Sequence, residues 1–248
     1  MSGRRRSTRC SSTRAFRRTW PSCGSRRGTR SSAAIARPAG AEGQALGRGK
    51  IEGVDPTWTD VRAALAARAP AQVTDPPSSR AAVALILRDG AQGIEVLFIR
   101  RAEHPKDPWS GQMAFPGGRA EPGDADLRAT AIRETREEIG VDLTAAAEPL
   151  GGLDEVRAMA RLRPMNLTIT PFVFRLREPF EPVPSDEVRS VHWLPLGELL
   201  GTARRSTMDY AHQGESIQFP CLRIDEVVIW GLTYRMFMGF QERFGVSA

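Results

Sequence analysis

Three glutamates, Glu134, Glu137 and Glu138, stand at i, i+3 and i+4 within a run of good helix formers. At 100° per residue this spacing gathers them within an arc of roughly 100° on one helix face. Like charges so placed repel and cost about 0.2–0.5 kcal/mol per pair. A hard divalent cation removes that cost, and carboxylate oxygens are the ligands that Mg²⁺ or Mn²⁺ prefers. The plain alternative is a solvated acidic face tied down by Arg133 and Arg136. What favours chemistry is the preceding segment, Phe115-Pro116-Gly117-Gly118-Arg119. A Gly-Gly turn lets a backbone carbonyl or a substrate come close because no side chain stands in the way.

The elements that must hold these residues are legible from caps and periodicity. A helix is expected from Asp126 to Ile139, with Asp124 or Asp126 as N-cap and Gly140 as C-terminal stop. Ala125, Ala129, Ile132 and Ile139 are expected on the face opposite the glutamates, packed against a sheet. Residues 82–87 and 94–99 read as strands joined by a turn at Asp89-Gly90, a hairpin or a closely related pair. Residues 166–174 and 188–193 read as further strands. Thr57 or Thr59 caps a short helix running to Ala67, and residues 74–79 read as a linker. Ile229, Trp230, Tyr234, Phe237, Phe240 and Phe244 recur at helical spacing and read as core packing. Strands mixed with a few helices, without regular βαβ alternation, imply a mixed sheet with helices on its faces.

Residues 117–141 resemble the Nudix box, G-x5-E-x7-R-E-U-x-E-E-x-G-U with U aliphatic. Arg133 through Val141 match its second half, with Thr135 in one U position. The first half differs: counting from Gly118, Asp124 stands in the place of the first glutamate, and the spacing to Arg133 is one residue longer. This lengthened form, with Thr130-Ala131-Ile132-Arg133-Glu134, is similar to the coenzyme A diphosphatase branch. Arg101, Ala102 and Phe115 to Gly118 also match the accessory motif of that branch, but Lys106 stands near the place of an expected arginine. The resemblance, over about residues 80–240, implies an α/β fold, a Nudix α/β/α sandwich with a mixed sheet. It implies hydrolysis of a diphosphate bond in a nucleoside diphosphate derivative, with coenzyme A or an acyl-CoA as first choice. The competing readings are an ADP-ribose, dinucleotide or oxidised nucleoside triphosphate pyrophosphatase, and a non-catalytic nucleotide-binding module. In this resemblance Glu134, Glu137 and Glu138 are metal ligands for Mg²⁺ or Mn²⁺. Arg133, Glu137 and Glu187 are the catalytic group, with Arg133 orienting a glutamate and Glu187 a candidate base. Arg101, Lys106, Gly117 and Gly118 form the substrate-binding set.

Charge divides the chain. Residues 1–50 hold 12 Arg and one Lys against one acid, Glu42, whereas the remainder holds 22 basic and 28 acidic residues. The 1–50 segment, rich in Arg and Ser, is expected to be a disordered tail, since it has too little apolar surface to offset chain entropy. Residues 51–79 form a short helix and linker, and 80–248 the hydrolase domain. The folded part is mildly acidic, which argues against a nucleic-acid partner; the resemblance implies a small-molecule nucleotide as partner, with a homodimer among the assemblies allowed. Two lysines against 33 arginines read as GC-rich coding. Three cysteines, Cys10, Cys23 and Cys221, form no CxxC pair. A reducing, cytoplasmic location is therefore expected, with organellar targeting by the Arg-rich tail as the minor alternative. No apolar run reaches the length of a membrane span. His104, His192 and His212 lack zinc-site spacing.

Overall fold

The computed structural model describes residues 55–160, 163–212 and 214–245; the expected tail, residues 1–50, lies outside them. In chain order the elements are α1 (Trp58–Ala66), β1 (Ser79–Gly90), β2 (Gly93–Arg101), β3 (Met113–Ala114), β4 (Gly117–Arg119) and α2 (Leu127–Ile139). There follow α3 (Leu143–Ala146), β5 (Ala147–Gly152), β6 (Val156–Ala160), β7 (Arg163–Leu176), β8 (Val188–Pro195) and α4 (Leu196–Leu200). The chain ends in β9 (Arg205–His212), β10 (Glu215–Ile224), β11 (Val227–Trp230) and α5 (Gly231–Glu242).

β1 is the organising strand. It runs parallel to β7 from Ser79↔Leu167 to Leu87↔Arg175. Its C-terminal half pairs antiparallel with β2, and its N-terminal half with β4. The larger sheet has the order β3-β2-β1-β7-β5, with β8 on β2 and β6 on β7. β9, β10 and β11 form a separate antiparallel sheet. Alternation along β1 feeds two cores, as the period of two requires. Ala81, Val83, Leu85 and Leu87 face one layer with α4, α5 and Val61 of α1, where Phe98, Phe237 and Phe240 are fully buried. Ala82, Ala84 and Ile86 face the other, with Ala131 and Ile139 of α2. This is the expected mixed sheet between helical layers. Seven consecutive strand residues, Ala81 to Leu87, are buried on both faces, which is why β1 reads as an unbroken apolar run rather than an alternating one.

Several sequence expectations shift. The hairpin turn is Ala91-Gln92, because Gly90↔Gly93 is still a ladder pair. The C-terminal stripe is not one helix: Ile229 and Trp230 end β11, and α5 begins at Gly231, whose φ of 62° marks the corner. The short helix is as expected, with Thr57 as the cap and a reciprocal bond to Asp60. Among the described residues no helix is long and apolar enough to cross a membrane.

Candidate active site

α2 carries the glutamates, and its ends are fixed by local chemistry. Asp126 is the N-cap, accepting from the Ala129 N–H at 2.7 Å. Gly140 closes the helix at φ 76° and donates to the Arg136 carbonyl at 3.0 Å. The packed face differs from the expected one. Thr130, Ala131, Thr135, Glu138 and Ile139 are buried, whereas Ala125 precedes the helix and is exposed. Glu138 therefore lies on the sheet side, not on the solvent side. The competing interactions there, described next, explain why a carboxylate tolerates this position.

The Gly-Gly turn is set against β1, with Gly118 opposite Ala82 and Gly117 opposite Val83. Gly117 has φ 151°, and a Cβ there would stand 2.3 Å from the Ala82 carbonyl oxygen. A Cβ on Gly118 would instead meet the Glu134 carboxyl group at 2.4 Å. The first glycine thus admits the strand, and the second admits the glutamate. The Gly117 N–H also donates to Glu138 Oε2 at 2.9 Å.

Asp124, at the point where the box is one residue longer, accepts from Arg133 Nε at 2.9 Å and Nη2 at 3.1 Å. The Glu121 N–H at 2.9 Å and Thr130 Oγ1 at 2.8 Å complete its shell. These donors hold the Asp124 carboxyl well below the usual carboxylate range, with Arg133 the largest cause. Arg133 is a hub. Its Nη2 donates to the Arg119 carbonyl at 3.0 Å, and its Nη1 lies 3.0 Å from Glu134 and 3.1 Å from Glu137. Asp124 on one side and the two glutamates on the other fix the guanidinium plane.

The remaining carboxylates act on one another electrostatically. Glu138 is 4% exposed, and burial pushes its carboxyl up to about 8. The Gly117 N–H and the Arg101 guanidinium oppose that rise, while Glu134 and Glu187 add to it. Burial likewise raises Glu134, against Arg133, with Glu137 and Glu187 pushing further. Glu187 thus acts on both glutamates from a distant part of the chain. Its segment is strapped to the end of α2: the Ser185 N–H donates to the Glu138 carbonyl at 2.8 Å and the Val183 N–H to Ile139 at 3.0 Å. The Ala102 N–H then donates to the Glu187 carbonyl at 2.8 Å.

Arg101 approaches Glu138 from the end of β2. Its Nη1 is 3.9 Å from Glu138, while Nε and Nη2 hold Asp107 at 2.8 Å. Lys106 is exposed on the same loop. Trp109 packs on the α5-side core and donates from Nε1 to the Met159 carbonyl at 3.2 Å.

The donor set suits a hard divalent cation: carboxylate oxygens raise one another's proton affinity and nothing softer competes. Among the described residues no three such side chains converge closely enough to hold an ion as they stand. Glu137, 53% exposed at its side chain, is paired with Arg133 at 3.1 Å. Asp107 and the bonding role of Asp124 escaped sequence reasoning. The displaced acid in the box was a signal for the second; Asp107 had none, because its link to Arg101 depends on how the 102–112 loop folds back.

The NUDIX domain pattern matches residues 78–214. The chain belongs to the Nudix family. It is 31% identical over 143 residues to an uncharacterised Nudix hydrolase, NudL, of Yersinia pestis (strain Pestoides F), covering 56% of this chain and 66% of that one, just under two thirds of its length. Identical figures hold for NudL of Yersinia pseudotuberculosis serotype O:1b. Among solved structures, a MutT/Nudix family protein from Enterococcus faecalis superposes with TM-score 0.45 at 18% identity, covering 76% of this chain and 69% of that one. A C. elegans Ap4A hydrolase gives TM-score 0.38 at 24% identity, covering 55% and 90%.

Proposed function

We propose that this Nudix chain hydrolyses a diphosphate bond in a nucleoside diphosphate derivative with the help of a divalent cation, Mg²⁺ or Mn²⁺, and that coenzyme A or an acyl-CoA is its substrate. The observation that carries the reading is the grouping of Glu134, Glu138 and Glu187 around the Gly117-Gly118 turn, framed by Arg133 and Arg101. A binding module has no need of acids that raise one another's proton affinity.

Glu134 and Glu138, with Glu137 swung over from Arg133, would hold the ion. When bound it supplies charge neutralisation of the diphosphate and activates water near neutral pH. Arg133, clamped by Asp124, keeps Glu134 aimed across Gly118. Glu187 is exposed and carries no competing side-chain ion pair among the described residues, so it is free to take a proton from water. Arg101 and Lys106 give positive charge for phosphate oxygens on the open side. Coenzyme A is favoured by Arg101, Ala102 and the Phe115–Gly118 sequence.

The test is a panel of coenzyme A, an acyl-CoA, ADP-ribose, Ap4A and nucleoside triphosphates, assayed with and without Mg²⁺. Products are released as inorganic phosphate by a coupled phosphatase. Formation of 3′,5′-ADP from coenzyme A only with the ion present is the expected result. Turnover of ADP-ribose with coenzyme A inert would overturn the substrate assignment, and no turnover of any compound would overturn the enzyme.

A further inference from the structure

The small sheet of the C-terminal third has occupied faces and one open edge. Leu222, Ile224, Val227 and Ile229 join one face to the α5-side core. On the other, Tyr210, Phe219 and Trp230 form a mutual ring cluster, with centroids 5.3, 5.7 and 5.9 Å apart. Together with Trp109 and Tyr234 these rings wall a chamber of about 200 Å³. β11 has four residues and runs directly into α5. β9 differs: its eight residues pair with β10 alone, without a bulge, from Leu222↔Arg205 to Glu215↔His212.

A free edge of that length is normally blunted by proline, lysine, a bulge or a covering segment, because its N–H and C=O groups template another chain. β9 contains neither proline nor lysine. The direction of its backbone groups follows from Pro220, which stands opposite Thr207 in the ladder. Proline has no N–H, so this is a non-hydrogen-bonded pair, and Thr207 turns its backbone groups away from β10. The alternation agrees with Arg204, whose carbonyl accepts from the Arg223 N–H of β10 at 2.9 Å. Arg205, Thr207 and Asp209 therefore aim their backbone groups at the open side. The Arg205 N–H is taken by the Thr202 carbonyl at 3.0 Å, which marks where the open stretch begins. Beyond it, among the described residues, only the Ser206 hydroxyl approaches, 3.4 Å from the Thr207 carbonyl.

We propose that β9 pairs antiparallel with β9 of a second copy of this chain about a two-fold axis at Thr207, joining two small sheets into one of six strands. Charge selects the copy and the register. With the axis at Thr207, the half-buried Arg205 of each copy stands directly opposite the exposed Asp209 of the other. Moved one residue back, the axis would set Arg205 against Thr207; moved one forward, against Ala211; at Asp209, it would oppose two carboxylates. The Asp209 side chain makes no ion pair or hydrogen bond among the described residues, so it is available for this contact. The two Thr207 residues exchange a pair of backbone bonds, and each Asp209 N–H donates to the Arg205 carbonyl of the other copy. Four backbone bonds and two ion pairs make a small interface, with a dissociation constant on the order of 10 μM. The pairing is independent of the hydrolase reading, since β9 carries none of the residues assigned to that chemistry.

The experiment is sedimentation velocity of the full chain from about 1 to 100 μM, bracketing that constant. The wild type is expected to move from the 27.2 kDa of one chain toward twice that mass. Thr207→Pro removes only an N–H that faces the open side, so it should stay monomeric throughout while circular dichroism shows the fold retained. Asp209→Arg sets like charges across the axis and should weaken association about tenfold or more. Adding Arg205→Asp restores opposite charges and should recover most of that loss. Thr207→Cys supplies a readout that does not depend on those variants folding. Facing Cα atoms in such a pair stand about 5.5 Å apart, within disulfide reach, so mild oxidation should join position 207 to its copy, seen as a cross-linked peptide by mass spectrometry. A chain that stays monomeric at the highest concentration overturns the proposal. So does a dimer that Thr207→Pro leaves intact, or one that gives no 207-to-207 cross-link, since either would place the contact on another surface.

Discussion

Asp124→Asn tests whether the acid displaced by one residue in the box is the clamp of the site. Asp124 is nearly buried, with 8% of its side chain exposed against 19% for Arg133. The substitution removes the charge, turns an amide toward one guanidinium edge, and leaves one oxygen to serve four donors. Removing one partner of a buried ion pair costs about 3–5 kcal/mol. Glu134 and Glu137 still face Arg133 and soften the loss, so about 2–3 kcal/mol is expected. With an m-value of about 1.5–2 kcal/mol per molar, the urea midpoint falls by about 1–2 M at constant slope. The sign of the pH effect is fixed by the shift: the folded carboxyl ionises at lower pH than the unfolded one. Its contribution is complete above the unfolded value near 4 and disappears as pH falls below it, so the gap between wild type and variant must close in acid. A double-mutant cycle with Arg133→Met should give a coupling above about 1 kcal/mol. A midpoint unchanged by Asp124→Asn, or a gap constant down to the lowest pH at which the chain folds, refutes the clamp.

Other outcomes separate the roles around it. Glu138→Gln should flatten a pH trend seen in the ion-free protein. A buried carboxyl raised to about 8 costs the folded state nothing below the unfolded value of 4.5, and up to about 5 kcal/mol as pH rises through 8. Urea midpoints from pH 5 to 9 check this, and a flat wild-type profile refutes it. Glu137→Gln touches an exposed side chain, so stability should move by less than about 0.5 kcal/mol while kcat falls about a hundredfold or more. Gly117→Ala should destabilise by about 2 kcal/mol or more, since backbone blocks its Cβ. Gly118→Ala meets only the movable end of Glu134, so thermal stability should hold while activity drops.

The glutamate-bearing helix α2 was legible because its signals are local. The Asp126 cap, the Gly140 stop and the i, i+3, i+4 acids need only neighbours within a few residues. The face it buries was not legible. Periodicity placed Glu138 with the acidic stripe, and it is there, but that stripe is not wholly solvent-facing. The Gly117 N–H and Arg101 come from β4 and β2, and they let one member turn inward. The same limit explains Trp230, which helical spacing assigned to a core stripe and which ends β11 beside a cavity.

By itself, the sequence determined which side chains share a helix, where that helix begins and ends, and that two glycines precede it, because these follow from backbone geometry over short spans. Tertiary structure alone decided that Glu187 approaches Glu134 and Glu138, that Asp107 holds Arg101, and that five aromatic rings wall one chamber. Each of these contacts joins segments far apart in the chain, and their distance is set by how β1 pairs with β2, β4 and β7 rather than by any residue's own preference.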